Sequence, residues 1–211
     1  MTTLADLRRE YASRALDEKD AHADPMQQFT RWFDEALQSQ LIDVNAMTLA
    51  TAGRKGEPSA RIVLLKGADE HGFVFYTNYD SRKAGEIEGT HRASLLFYWA
   101  GLERQVRIEG GIARVADAES DAYFLSRPLE SRWSAHASPQ SRVIESRESL
   151  EAAVARARAQ FGDTVPRPAG WGGFRVSPDA FEFWQGRENR LHDRLAYTLA
   201  GGGWRRQRLA P

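Results

Sequence analysis

The stretch M-T-L-A-T-A-G-R-K-G-E-P-S-A-R-I-V-L-L-K, residues 47–66, decides the architecture. Two short runs, 47–52 and 59–66, flank a segment holding two glycines and a proline, so they read as strands joined by a turn. Further strand patterns follow at 72–78, 93–99 and 104–115, the last carrying Gly110-Gly111 as a bulge signal. Five strands within about seventy residues, joined mostly by short turns, predict an antiparallel barrel or sandwich.

On the N-terminal side, Asp24-Pro25-Met26-Gln27 is a helix start, with Asp24 as cap, Pro25 at the first position and Gln27 completing a capping box. Phe29, Trp32, Phe33, Ala36, Leu37 and Leu41 then recur at helical spacing and form a core-facing stripe. Residues 4–16 are polar with scattered apolar positions and read as a loose arm, in which Arg8 and Tyr11 stand three apart.

On the C-terminal side, 119–127 predicts a helix ended near Pro128, and 127–141 a polar loop. Residues 146–161 predict an amphipathic helix stopped by Gly162. Pro166-Arg167-Pro168 reads as a linker. Strands follow at 171–176, 180–185, 194–199 and 204–209, with Ser177-Pro178-Asp179 and Gly201-Gly202-Gly203 as turns. The expected organisation is an N-terminal arm or lid, 1–23, and a single barrel domain with peripheral helices, 24–211.

Composition narrows the function. The 211 residues carry 29 basic and 29 acidic side chains, which argues against bulk electrostatic binding to nucleic acid or an anionic membrane. There is no cysteine, so disulfides, thiolate metal sites and a cysteine nucleophile are excluded. No histidine pair has metal-ligand spacing, so no metal is expected. The N-terminus lacks an apolar signal core and no run is long enough to span a bilayer, which makes the cytoplasm the expected location. Only four of the cations are lysine, and two of these, Lys66 and Lys83, fall in the clusters below.

Four clusters can carry chemistry. In R-I-V-L-L-K, Arg61 and Lys66 bracket an apolar strand and by parity point to opposite faces, ready for two anions; strand-end solubilisation is the alternative. In F-Y-T-N-Y-D-S-R-K, residues 75–83, a strand enters a helix start capped by Asp80 or Ser81. Arg82 and Lys83 there oppose the helix dipole unless an anion compensates them. Tyr123, Arg127 and Ser131, spaced by four, make a phosphate cradle or a plain surface pair. In W-Q-G-R-E-N-R-L-H-D-R, residues 184–194, an extended chain would put Arg190, His192 and Arg194 on one face, suited to an anionic or electron-rich planar ligand; a solvated strand end is the alternative. Gln105, on one strand face with Arg107 and Glu109, and Gln140-Ser141 are weaker candidates.

In order along the chain, R-R-E-Y, R-I-V-L-L-K, F-Y-T-N-x-x-S-R-K, L-E-R-Q-V, S-R-P-x-x-S, P-Q-S, W-G-G-F-R-V, E-F-W-Q-G, R-L-H-D-R and the terminal R-L-A-P resemble the pyridoxine (pyridoxamine) 5′-phosphate oxidase family. The resemblance implies a mainly β fold with peripheral helices, an antiparallel FMN-binding split β-barrel, in a homodimer with FMN at the interface. It implies that Arg61, Ile62, Val63, Leu64, Leu65, Lys66, Tyr76, Thr77, Arg82, Lys83, Gln105, Gln140, Ser141, Trp184 and Arg194 surround FMN. Lys66, Tyr123, Arg127 and Ser131 would hold substrate phosphate, Arg190 and His192 would act at the pyridine ring, and Arg8 and Tyr11 would close as a lid. The implied reaction oxidises pyridoxine 5′-phosphate or pyridoxamine 5′-phosphate to pyridoxal 5′-phosphate, with dioxygen as acceptor and hydrogen peroxide as product. Two positions depart from the family, which commonly has glycine at Ser134 and tryptophan at His136. Two rivals stay open: another split-barrel flavin oxidoreductase, and a non-catalytic flavin or pyridoxal-phosphate carrier.

Overall fold

The structure, a computed structural model, describes residues 14–211. Nine strands and five α-helices alternate: α1 Pro25–Gln38, β1 Ala46–Ala52, β2 Pro58–Leu64, β3 Gly67–Asp69, β4 Gly72–Asn78, α2 Arg82–Thr90, β5 Arg92–Trp99, β6 Arg104–Arg114, α3 Asp117–Ser126, α4 Leu129–Ala137, α5 Arg147–Phe161, β7 Trp171–Gln185, β8 Asp193–Ala200 and β9 Gly203–Leu209. The strands pair in the order β2-β1-β5-β6-β7-β4-β3, with β8 beside β7 and β9 beside β8. The pairings β3–β4, β4–β7, β7–β8 and β8–β9 are antiparallel. The described residues divide into two compact units: one holds residues 14–49 with Ser94–Gly110 and Pro178–Pro211, the other Ala50–Ala93 with Gly111–Ser177.

In the first unit α1 supplies the core. Asp24 accepts the Met26 N–H at 2.8 Å, and Pro25 opens the helix. The expected box with Gln27 does not form, because the Asp24 carboxylate is taken one residue earlier; Gln28 instead accepts the His22 N–H at 3.0 Å. Phe29, Trp32 and Ala36 are buried, while Leu37 stays 55% exposed, so the stripe is narrower than its spacing suggested. Phe29 meets Phe97 at 5.2 Å and Trp32 meets Phe183 edge-on at 5.3 Å. Truncating a buried tryptophan such as Trp32 to alanine costs about 3–5 kcal/mol.

The second unit has its own apolar cluster of Phe124, Trp133, Ala157, Val165 and Trp171. It is assembled by α3, α4, α5 and the start of β7. Ser146 caps α5 by accepting the Ser149 N–H at 3.1 Å, and Gly162, at φ +53°, ends it.

Three expectations change. The segment 127–141 is not a loop, since α4 occupies Leu129–Ala137. Pro128 follows the end of α3, as expected, and also opens this helix, and Trp133 anchors it through its buried ring and an indole N–H donated to the Gly162 carbonyl at 2.9 Å. Ser177-Pro178-Asp179 is not a turn, since β7 runs unbroken through it. Pro178 falls between the residues β7 pairs with β4, 171–176, and those it pairs with β8, 180–185, so neither of these two ladders needs its missing N–H. Burial alternates through Gly110 and Gly111 without the change of face that the bulge signal anticipated.

Candidate functional site

The second unit encloses a cavity of about 670 Å³, within the range of small-ligand sites. Arg61, Ile62, Val63 and Leu64 of β2, and Lys66 just beyond it, line one side. Leu65 is buried and does not line the cavity. Parity misled for Arg61 and Lys66. The strand ends at Leu64, so alternation does not carry to Lys66, and both cations line the same cavity.

β4 brings Tyr76 and Thr77 to the cavity, and α2 brings Lys83. The Lys83 ammonium donates to Thr77 Oγ1 at 3.1 Å, Ser81 Oγ at 3.3 Å and Gln140 Oε1 at 2.8 Å, while the Thr77 hydroxyl donates to Gln140 Oε1 at 2.9 Å. Burial pushes the Lys83 pKa down, and Arg61 adds to this. Ser81 is the N-cap of α2, but its hydroxyl faces Lys83 and makes no capping bond. Arg82 points elsewhere: its Nε donates to Glu86 Oε1 at 2.7 Å, and it does not line the cavity.

Opposite, Tyr123, Arg127 and Ser131 all line the cavity. Tyr123 and Ser131 come from successive helices, because Arg127 adopts an extended backbone and breaks α3 from α4. Tyr76 stacks on Tyr123 at 3.9 Å and on Trp171 at 5.5 Å. Burial, helped by Glu119 and Tyr123, pushes the Tyr76 pKa up to about 12, so its phenol stays protonated. The Arg127 guanidinium lies 4.6 Å over the Trp171 ring, and its Nη1 is buried without a hydrogen-bond partner. Burial lowers the Arg127 pKa, yet an arginine stays charged at neutral pH. A buried cation with an unmet N–H is a standing demand for an anion. Ser134 also lines the cavity, its hydroxyl donating to the Glu130 carbonyl at 2.7 Å; His136 meets the Pro166 carbonyl at 2.7 Å.

The first unit holds Gln105, Trp184, Arg190, His192 and Arg194. Trp184 faces Arg194 across the β7–β8 pair. Arg194 donates to the buried Glu182 at 2.9 and 3.1 Å and to the Ala210 carbonyl at 2.8 Å, and this pairing raises its pKa. Gln105 lies on β6 on one face with Arg107 and Glu109, which pair at 2.9 Å. The expected extension of 190–194 is not found. A 3₁₀ turn covers Glu188–Arg190, Asn189 and Arg190 take left-handed φ of +54° and +61°, and β8 begins only at Asp193. Such backbone is uncommon for a long side chain such as Arg190 and turns the chain out of the strand direction. His192 Nδ1 accepts the Arg187 N–H at 3.1 Å, and its ring packs 4.7 Å from Trp184. Burial and then Arg190 lower the His192 pKa, favouring neutral imidazole at pH 7. Ser141, at φ +73°, does not line the cavity, and Arg8 and Tyr11 lie outside the described residues. Among the described residues no three His, Cys, Asp or Glu side chains gather as a metal site, and no helix is long and apolar enough to cross a membrane.

Sequence reasoning missed Glu86, a buried carboxylate that accepts from Thr51 and Ser59 and pairs with Arg61 and Arg82. Its four-residue spacing from Arg82 was a usable signal.

Mainly antiparallel strands with flanking helices and a cation-lined cavity define the class, a split β-barrel. Residues 33–161 match the family described as pyridoxamine 5′-phosphate oxidase, and residues 171–211 the pyridoxine 5′-phosphate oxidase C-terminal dimerisation region. The chain is 58% identical to a pyridoxine/pyridoxamine 5′-phosphate oxidase of Paraburkholderia phymatum and 56% identical to one of Thermosynechococcus vestitus, each aligned over the full length of both chains. PhzG of Burkholderia lata, solved with tetrahydrophenazine-1-carboxylic acid, superposes at a TM-score of 0.90 with 32% identity, over 95% of this chain and 99% of that one. The chain belongs to the pyridoxamine 5′-phosphate oxidase family.

Proposed function

We propose that the protein oxidises pyridoxine 5′-phosphate and pyridoxamine 5′-phosphate to pyridoxal 5′-phosphate, using FMN and dioxygen and releasing hydrogen peroxide. The observation that carries this reading is Arg127, a buried cavity guanidinium whose Nη1 has no hydrogen-bond partner. With Lys66, Tyr123 and Ser131 on the same cavity, it makes a fitting cradle for a phosphate ester.

The residues also fit FMN. Arg61, Lys83, Thr77 and Gln140 offer charge and hydrogen bonds, and Tyr76 and the apolar strand 61–64 offer ring contacts. Bound FMN supplies two-electron acceptance from the C4′ carbon and return of those electrons to dioxygen. The phosphate cradle turns encounter into a positioned reaction by fixing the substrate at one end. Arg190 orients the pyridine ring and offsets developing charge. His192, with Nδ1 accepting the Arg187 N–H, carries its proton on Nε2 and meets the ring substituents as a neutral donor. Gln105, Trp184 and Arg194 complete the cofactor's surroundings, with the C-terminal strands as the homodimer contact; the matched dimerisation region supports that assembly. Arg8 and Tyr11 act as the lid, and the enzyme works in the cytoplasm.

The PhzG likeness favours a second reading, a site that takes an unphosphorylated carboxylic acid. The phosphate cradle argues against it. The purified chain should show a flavin spectrum and release peroxide with pyridoxine 5′-phosphate, but not with pyridoxine. Turnover of tetrahydrophenazine-1-carboxylic acid with none of pyridoxine 5′-phosphate would favour the second reading, and a colourless protein that FMN does not reconstitute would remove both.

A further inference from the structure

We propose that Glu86 is a positioning residue of the cofactor site, fixing Arg61 in place for an anionic group; this rests on the reading that the cavity takes FMN. Glu86 lies on α2 and is buried. Its Oε2 accepts the hydroxyls of Thr51, at 2.6 Å, and of Ser59, and lies 3.2 Å from Arg61 Nη2. Its Oε1 accepts Arg82 Nε at 2.7 Å. The same two hydroxyls accept from Arg61, Nη1 reaching Thr51 and Nη2 reaching Ser59. Arg61 is therefore gripped at two nitrogens by groups that Glu86 itself holds. A long flexible side chain ordered in advance does not lose that freedom when a ligand arrives.

An opposing effect has to be weighed, since a carboxylate near an anion site repels the anion. Three cations, Arg61, Arg82 and Lys83, stand against this one carboxylate, so the group keeps a net charge of plus two, three minus one. Burial works against the ionised carboxylate, but the hydrogen bonds from Ser59, Thr51, Arg82 and Arg61 outweigh it and hold the pKa at about 2. Without Glu86, Arg61 and Lys83 would repel each other unmoderated, and Lys83, already lowered by burial, would lose the attraction that favours its charge. Positioning and charge support thus outweigh repulsion.

The test titrates the full chain, stripped of flavin, with FMN and with riboflavin, following flavin fluorescence. Glu86→Gln should weaken FMN binding about tenfold and riboflavin less than about twofold, and should add little on top of Arg61→Ala in the double variant. Unchanged or tighter FMN binding, equal losses for both flavins, or additive effects would each overturn the proposal. If Glu86→Gln does not fold, Ser59→Ala removes one link of the same grip and should weaken FMN about threefold, again sparing riboflavin; the same contrary results would overturn it. A wild-type chain that binds no FMN removes the cofactor reading and this role with it. Normal wild-type binding with an indifferent Glu86→Gln removes this role alone.

Discussion

Arg127 and Arg194 carry the same charge and do opposite things with it. Arg194 is saturated: Glu182 and the Ala210 carbonyl take its donors within the β7–β8–β9 ladder. Arg127 is stacked over Trp171 and Phe124, and its Nη1 is buried without a partner. An unmet buried donor costs about 1–3 kcal/mol, more when charged. A folded chain tolerates that where a ligand completes the set, whereas a saturated guanidinium is already held in place by the protein. Satisfaction, rather than the presence of arginine, separates a guanidinium that still calls for a ligand from one the fold already holds.

Arg190 tests the functional side most sharply. On the proposed reaction Arg190→Ala should lower kcat about 100-fold or more, the scale of one positioned electrostatic group. Steady-state kinetics at saturating substrate checks this, and near-normal turnover would take Arg190 out of the reaction. The Arg127–Arg194 contrast is then tested by changing both to methionine. Arg194→Met leaves the buried Glu182 with only part of its partners and should destabilise the fold by about 1–3 kcal/mol in urea unfolding. Arg127→Met removes an unmet donor, so stability should hold or rise slightly. Its effect should appear in KM, up by about tenfold with kcat little changed, because a phosphate grip is mostly uniform binding. If Arg127→Met destabilised as much as Arg194→Met, the contrast between them would be lost.

Much of the fold was legible because periodicity reports local structure directly. The turn at Gly53 to Gly56 closes with a 2.8 Å backbone bond and puts Gly56 at φ +87°, as its composition suggested. Misreadings arose where tertiary context overrode local punctuation. Pro128 does follow the end of α3, but the polar stretch after it, read as a loop, is a helix because Trp133 has a buried place to fill. Pro178 looked like a turn, but it falls between the pairing partners of β7. At the site, residue types were readable and directions were not. Arg61 and Lys66 share a cavity because the strand ends between them, and Arg190 turns left-handed where alternation assumed extension. Glu86 went unnoticed because its importance lies in what it holds rather than in what it offers to a ligand.

The smallest expected effect concerns Ser134, where the resembled family commonly has glycine. Ser134 lines the cavity beside Ser131, which makes it look like a further ligand for the substrate. Its hydroxyl, however, donates to the Glu130 carbonyl one turn back at 2.7 Å, within α4. That bond commits its hydrogen to the helix, so no donor is aimed at an anion. Ser134→Gly should therefore leave KM within about twofold while lowering stability by roughly 0.5–1 kcal/mol, the cost of glycine inside a helix. Urea unfolding and substrate titration on the same preparation separate the two effects. A KM rise approaching that of Arg127→Met would place Ser134 in the cradle, and would mean its hydroxyl rotates from Glu130 when substrate arrives.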